Sequence, residues 1–414
     1  MKPTASNRSS ARDCKDSSVA ELRIDEVCSS VVDCEHKTVP KDMHGSSWAV
    51  GTPAMSDGQI DFSRAKRISD ETYDLWTRRA VPVEGDLILA REAPVGLVVL
   101  VPASPRVALG QRTVLLRPRP DVIDSRYLHF LLMSSDMQHR MHSKSEGSTV
   151  RHLNVEDVRA LPLLPLPPLA EQRAIAGVLG ALDDKIKSNR RLGDLLIQLA
   201  RTMLDTGENE VRLGDIATCD KGLSYKGNGL QEDSSEGTPM INLGNFGVDG
   251  WLNAEKLKFY SGEYKERHLL KAGDLVVANT DLTQQRVIIG RPALVPPSLG
   301  KAIFTHHVTA IRPLEDEKLR LPIWAQLNSP AFRERAEGFA TGTTVAGMPV
   351  EALLDFYIRI PSGEVISDAQ ELLERVWFAE SESRSLHHAR EILLPELLSG
   401  RLRVKDAESM MENV

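Results

Sequence analysis

Three places in this 414-residue chain carry side chains able to do chemistry. Cys28, Cys34 and His36 offer soft and imidazole ligands, but they lack the paired C-x-x-C spacing of a structural zinc site. They are expected to be free thiols beside a solvated histidine, which suits a reducing cytoplasm. His306 and His307 are adjacent in a β-branched stretch and show no spacing for a metal or for a Ser/His nucleophile set. Packing or solvation is the expected role there. RPRPDVIDSRY (117–127) mixes acids and bases in a way loosely like a nuclease motif, with the wrong spacing. No N-P-P-Y or D-P-P-Y stretch is present to hold an amino group for methylation, no Gly-rich cofactor loop, and no G-x-x-x-x-G-K-[ST] for ATP. The residues therefore point to a chain without catalysis, metal or cofactor of its own.

The elements that would position any binding residues come from a duplication. RYLHFLLMSSDMQHRMHSKSEGSTV (126–150) aligns without a gap on LPIWAQLNSPAFRERAEGFATGTTV (321–345), an offset of 195 residues. Thr149 and Val150 fall on Thr344 and Val345, and Val155 and Glu156 fall on Val350 and Glu351. Upstream, RTVLLRP (112–118) matches HVTAIRP (307–313), GDLILA (85–90) matches GDLVVA (273–278), and ELRIDEV (21–27) matches EVRLGDI (210–216). Five pairs in one order mean one domain plan used twice. Each copy opens with short β-branched runs punctuated by Gly and Pro, such as GLVVLVP and VIIGRPALVP, which read as strands. A helix follows, then a Gly-Thr-rich loop and a last strand.

Each copy then runs into a long amphipathic stretch. Pro167 and Pro168 can start a helix but not occupy its interior. From there Ile175, Leu179, Leu182, Ile186, Leu196, Ala200 and Met203 recur as a heptad-like seam interrupted by Asn189 and Gly193. At ~1.5 Å per residue, about 35 residues span roughly 50 Å. The second stretch is expected from about Ser367, capped by Ser367 and Gln370, to Ser399. Its stripe is Leu373, Val376, Trp377, Leu394 and Leu397, with a polar middle and a loosening at Pro395. Packing the two stripes together in antiparallel fashion buries both. The expected fold class is α+β: two duplicated β-rich domains, each followed by a long helix, the helices forming an antiparallel coiled coil. The divisions are an extension at 1–18, a domain at 19–166, a helix at 167–208, a domain at 209–362, a helix at 363–404 and a tail at 405–414.

A net charge of −7 argues at first against a nucleic-acid partner. Much of the excess lies in residues 363–414, which hold 6 basic and 11 acidic side chains, so a basic surface elsewhere stays open. The N-terminus is polar and without the apolar centre of a secretory signal, so it is expected to be disordered, and no apolar run approaches a membrane span.

With GSTVRHLNVEDVRALPLLPLPPLAEQ followed by IAGVLGALDDKIKSN, VVDCEHKTVP near the start and LLSGRL near the end, the chain resembles the specificity subunits of type I restriction-modification systems over residues 20–404. The second helix departs from that pattern in having no PPLxEQ before it. The resemblance implies that each β-rich domain is a target recognition domain reading one half of a bipartite, asymmetric double-stranded DNA site. It also implies that the helix pair spaces the domains and docks two methyltransferase subunits, which restriction subunits join. S-adenosylmethionine, ATP and Mg are then expected on the partners.

Base reading needs Arg or Lys for guanine, Asn or Gln for adenine, and hydroxyls for either. In the first domain the candidates are His36, Lys37, Thr38, Arg91, Gln111, Arg112, Ser148, Thr149 and Arg151. In the second they are Lys221, Ser224, Tyr225, Lys226, Asn279, Thr280, Gln284, Gln285, Arg286, Thr343 and Thr344. Helix pairing and partner docking fall to Ile175, Leu179, Leu182, Ile186, Leu196, Leu373, Val376, Trp377 and Leu394. Two other readings fit less of the chain: a diverged fused methyltransferase or nuclease, and a coiled-coil scaffold that does not read DNA.

Overall fold

A computed structural model describes residues 21–145, 151–225, 227–231, 237–247, 250–282, 286–342 and 345–411. The chain divides into two compact units, one of residues 1–184 with 387–414 and one of residues 185–386.

In the first unit the β-branched runs form a four-stranded antiparallel sheet of β1 (Cys28–Asp33), β2 (Leu87–Ala90), β3 (Val98–Leu100) and β4 (Thr113–Pro118), in the order β1-β4-β2-β3. The central β2 is buried on both faces, which is why LILA lacks the polar alternation of a half-exposed strand. Ile88 and Ala90 face one way, into a core shared with Val50, Val107 and Leu109. That second layer is a three-stranded sheet in which Ser47–Val50 pairs in parallel with Val107–Leu109 and antiparallel with Lys66–Ile68.

The second unit repeats the plan. β5 (Ala217–Lys221), β6 (Leu275–Ala278), β7 (Pro292–Leu294) and β8 (Val308–Pro313) pair in the order β5-β8-β6-β7. Here too a second sheet contains one parallel pair, Thr238–Ile241 with Ala302–Phe304. Val276 and Ala278 pack on Phe304 and Ile241, while Leu275 and Val277 pack on Trp324, Phe332 and the long helices. The strands Thr113–Pro118 and Val308–Pro313 lie 195 residues apart, as do the helices starting at Ser135 and Pro330, so the duplication is structural.

Two repeated dipeptides acquire a reason. Asp86 of GDL is almost fully buried and accepts from Arg117 Nε at 2.9 Å and Nη2 at 2.7 Å, and from the Val83 amide at 2.9 Å. Asp274 does the same with Arg312 Nη1 at 2.5 Å and the Lys271 amide at 2.9 Å. GD and RP are the two halves of one ion pair that closes the turn before the central strand.

The long helices are α1 (Leu169–Leu204) and α2 (Gly363–Leu398), 36 residues each. Pro168 offers its carbonyl to the Glu171 and Gln172 amides, so the prolines do launch α1. Gln172, buried, fixes that end: its amide nitrogen donates to Pro167 O and Val122 O, and its oxygen accepts from the Asp124 amide. The start of α2 differs from the expectation. Ser362, after Pro361, caps the helix through the Val365 amide, whereas Ser367 lies inside it and accepts from Lys318 Nζ at 3.3 Å. Gln370 donates to Glu374 along the helix surface and closes no capping box. A further helix, Val404–Met411, follows.

In the first unit Ile175, Leu179 and Leu182 are buried, and Arg390 Nη1 meets Asp183 at 2.7 Å. In the second, Ile186, Leu196, Leu373 and Val376 are buried. A Cβ on Gly193 would stand 3.7 Å from Val376, and Asn189 lies against Ala379 and Ser383, so the segments run antiparallel there. Asn189 is 4% exposed and its Nδ2 donates to Glu382 Oε2 at 2.7 Å, Ala379 O at 3.3 Å and Ser383 Oγ at 3.3 Å. Two docking residues are half-buried. Leu394 is only half-buried, and Leu393 and Leu397 fill the core; Trp377 is half-buried, its ring 5.9 Å from that of Trp251. Ser383 and Arg390 carry the seam through the polar middle, and a count of apolar residues cannot follow it there.

Candidate nucleic-acid interface

In the first unit one end of the four-stranded sheet gathers segments far apart in sequence. Asp33, the last residue of β1, pairs with His36 Nε2 and with Arg91 Nη2, both at 3.0 Å. Arg91 donates its amide to Arg112 O, and its own carbonyl accepts from the Leu153 amide. Glu92 bridges to His152 and lies 3.8 Å from Arg112 Nε. His36, Lys37, Thr38, Gln111, Arg112 and Arg151 are exposed around this edge.

Arg91 is not presented to solvent. It is 4% exposed, with its guanidinium held by Asp33 and Leu153 O, so it ties three loops together from beneath. Arg112 sits at φ +69° on a turn whose Gly110 packs against the Gly51 backbone, and shares a concavity with Gln111, Arg64 and Lys66. Arg64 and Lys66 escaped the sequence reading because neither lies in a repeated motif; only the pairing of Lys66–Ile68 onto Ser47–Val50 brings them to this edge.

The equivalent end of the second unit is built alike and furnished differently. Asn279 follows β6, as Arg91 follows β2; its amide donates to His307 O and its carbonyl accepts from the Met348 amide. Its Nδ2 donates to Thr309 Oγ1 at 2.9 Å and to His306 O at 3.3 Å, so its side chain is spent on the loop rather than presented outward. Thr280 Oγ1 is 2.9 Å from His307 Nδ1, and the His306 and His307 ring centroids lie 3.9 Å apart with the rings tilted by 39°. Burial, with His306 alongside, lowers the His307 pKa from the usual imidazole value. Tyr225 packs edge-on against Tyr260 beside Leu223 and Met240, and Arg286 donates to Ala340 O and Gly342 O. Both are therefore loop supports. Lys221 and Ser224 are exposed. Ser148, Thr149, Lys226, Gln284, Gln285, Thr343 and Thr344 lie outside the described residues.

Cys28 and Cys34 are buried free thiols, and burial pushes Cys28 up to about 12, which leaves it unreactive. Among the described residues no group of three or more His, Cys, Asp or Glu could hold a metal ion, and no helix is long and apolar enough to cross a membrane.

Residues 56–196, which hold β2 to β4 and most of α1, match the family model described as Type I restriction modification DNA specificity domain. The chain is similar to type I restriction enzyme specificity subunits. Its relatives include the type I restriction enzyme MjaIX specificity subunit of Methanocaldococcus jannaschii, 24% identical over 386 residues and covering 84% of each chain. The MjaVIII specificity subunit of the same organism is 22% identical over 335 residues, 72% of this chain and 75% of that one. The crystal structure of the S subunit of a type I restriction-modification system from M. genitalium shares the fold, with a TM-score of 0.55 at 14% identity over 91% of this chain and 95% of that one.

Proposed function

We propose that this chain is the specificity subunit of a type I restriction-modification complex, its DNA-reading component, and takes no catalytic step itself. The duplication carries the reading. Two sheets of one topology present equivalent loop ends, and those ends bear different side chains: His36 and Gln111 in one domain, Lys221, Ser224 and the His306–His307 pair in the other. Two unlike readers on one chain recognise two unlike half-sites, and only a symmetric reader imposes a palindrome. The target is accordingly bipartite and asymmetric, with an unspecified spacer.

Methyltransferase subunits, two in number, dock on the helices, and restriction subunits join them. In the second unit Leu192, Leu195 and Leu199 form an exposed apolar stripe on α1, and Phe378 of α2 is 72% exposed. Leu192 and Phe378 flank a groove of about 600 Å³ edged by Glu371, Glu374 and Arg375. Such a surface suits an amphipathic helix of a partner. S-adenosylmethionine, ATP and Mg belong to those partners, and the complex works in the cytoplasm.

Mapping methylated adenines genome-wide in the native cell with and without this gene tests the reading. Deletion is expected to erase one bipartite, asymmetric motif. An unchanged map in a cell whose methyltransferase subunit is active would overturn it.

A further inference from the structure

The first unit contains a concavity of about 270 Å³ between the Ser47–Val50 strand and the turn that enters β4. Arg64, Lys66, Arg112 and Gln111 line it over an apolar floor that includes Val39 and Pro53, and no carboxylate is among its lining residues. Arg64 and Lys66 are exposed, and neither has an ion-pair partner among the described residues; the nearest acid to Arg112 is Glu92, 3.8 Å away.

The turn carrying Gln111 and Arg112 is rigid. The Gly110 amide donates to Val50 O at 2.7 Å, Thr113 Oγ1 donates to Gly110 O at 2.8 Å, and Arg112 O accepts from the Arg91 amide at 2.8 Å. A Cβ on Gly110 would stand 2.5 Å from the Gly51 nitrogen, so any other residue would push the two backbones apart. Arg112 is held at φ +69°, a conformation uncommon outside glycine and worth a functional explanation. Three cations border one hollow, and an anion placed among them relieves their mutual repulsion. Lys and Arg supply donors only, which match phosphate oxygens, and a contact to phosphate positions the duplex without reading its bases.

We propose that this cleft holds phosphodiester groups of duplex DNA beside the first half-site, with Arg64, Lys66 and Arg112 as the phosphate ligands and Gln111 as the adjoining base reader. The assignment rests on the DNA-reading function proposed above. It makes the cleft an anchor that sets the domain's register on the duplex, while Gln111 discriminates.

The test uses the full chain in complex with its methyltransferase subunit, a duplex carrying the mapped motif and a scrambled duplex of equal length, titrated across salt concentrations. The variant is Arg64→Ala with Lys66→Ala; Arg403→Ala with Lys405→Ala, exposed on and before the C-terminal helix, is the charge-matched control. Removing two phosphate contacts is expected to weaken both duplexes by the same factor and to reduce the slope of log affinity against log salt by about two. The methylated motif stays unchanged, and Gln111→Ala alters it on one side only. Affinity and slope equal to those of the control would overturn the cleft assignment and leave the DNA-reading function standing. Loss of discrimination without loss of scrambled-duplex affinity would make the cleft a base reader and overturn the phosphate role. Wild-type complex that treats both duplexes alike would bring down the DNA-reading function and the cleft with it. The milder Arg64→Gln with Lys66→Gln, checked by circular dichroism, gives the same readings should the alanine pair misfold.

Discussion

Arg91 and Gln111 show how position decides what a polar side chain does. Both lie on loops at the same sheet end, yet Arg91 is turned inward onto Asp33 while Gln111 faces the cleft. Arg91→Ala should therefore cost about 2–3 kcal/mol of stability, from lost charge-assisted hydrogen bonds at a buried position, and leave the methylated motif as it is. Urea denaturation and a methylation map check this together; a changed motif at undiminished stability would return Arg91 to the readers. The buried Asp86 and Asp274 obey the same logic. Asp86→Ala removes the carboxylate that accepts from Arg117 and from the Val83 amide, leaving Arg117 only Val81 O, with an expected loss of about 3 kcal/mol. Cys28 and Cys34, by contrast, need no function beyond filling space.

At the scale of the element, the long helices are held by apolar residues and indexed by polar ones. Leu182→Asp places an unpaired charge in the seam, with an expected cost of roughly 2–5 kcal/mol and lowered co-purification of the methyltransferase subunit. Full assembly of that variant would mean the seam is not the docking scaffold. The helix Ser125–Met133 is expected to make the first unit sensitive to acid. His129 on it is 3% exposed, its Nε2 is 3.3 Å from Val98 O, and burial lowers its pKa to about 4. The unfolded chain takes up a proton near pH 6.5 and the folded one near 4, so the stabilisation is complete above pH 6.5. It is lost as pH falls from 6.5 toward 4, and the full loss is about 3 kcal/mol. Urea midpoints measured across that window should fall for the wild type and flatten for His129→Phe; parallel curves would place the acid sensitivity elsewhere.

At the scale of the molecule, the proposed function treats the two domains as independent readers on a common support. Exchanging residues 209–362 for the corresponding domain of another specificity subunit is expected to change one half of the methylated motif and preserve the other. A map in which both halves change would show that the domains do not read separately. The docking groove belongs at this scale as well, since Phe378→Glu should reduce methyltransferase capture without altering the motif that residual complex modifies.

The sequence by itself determined the duplication, the two long helices and the α+β class, because each depends on local periodicity or on matching one stretch with another. A buried central strand reads as LILA or LVVA, a helix start as a pair of prolines, and a repeat as a constant offset. It also singled out Asn189 and Gly193 as breaks in the seam, since a polar or absent side chain stands out against leucines. Only the tertiary structure decided which way each loop residue faces. Arg91, Asn279, Tyr225 and Arg286 have the composition of base readers, but strand pairing sets their hydrogen-bond partners, and those partners lie up to 62 residues away in sequence. Arg64 and Lys66 became visible for the converse reason: they occupy an unremarked stretch that a parallel-containing sheet carries to the edge of the cleft. Periodicity is a one-dimensional property, whereas facing is fixed by contacts between distant segments.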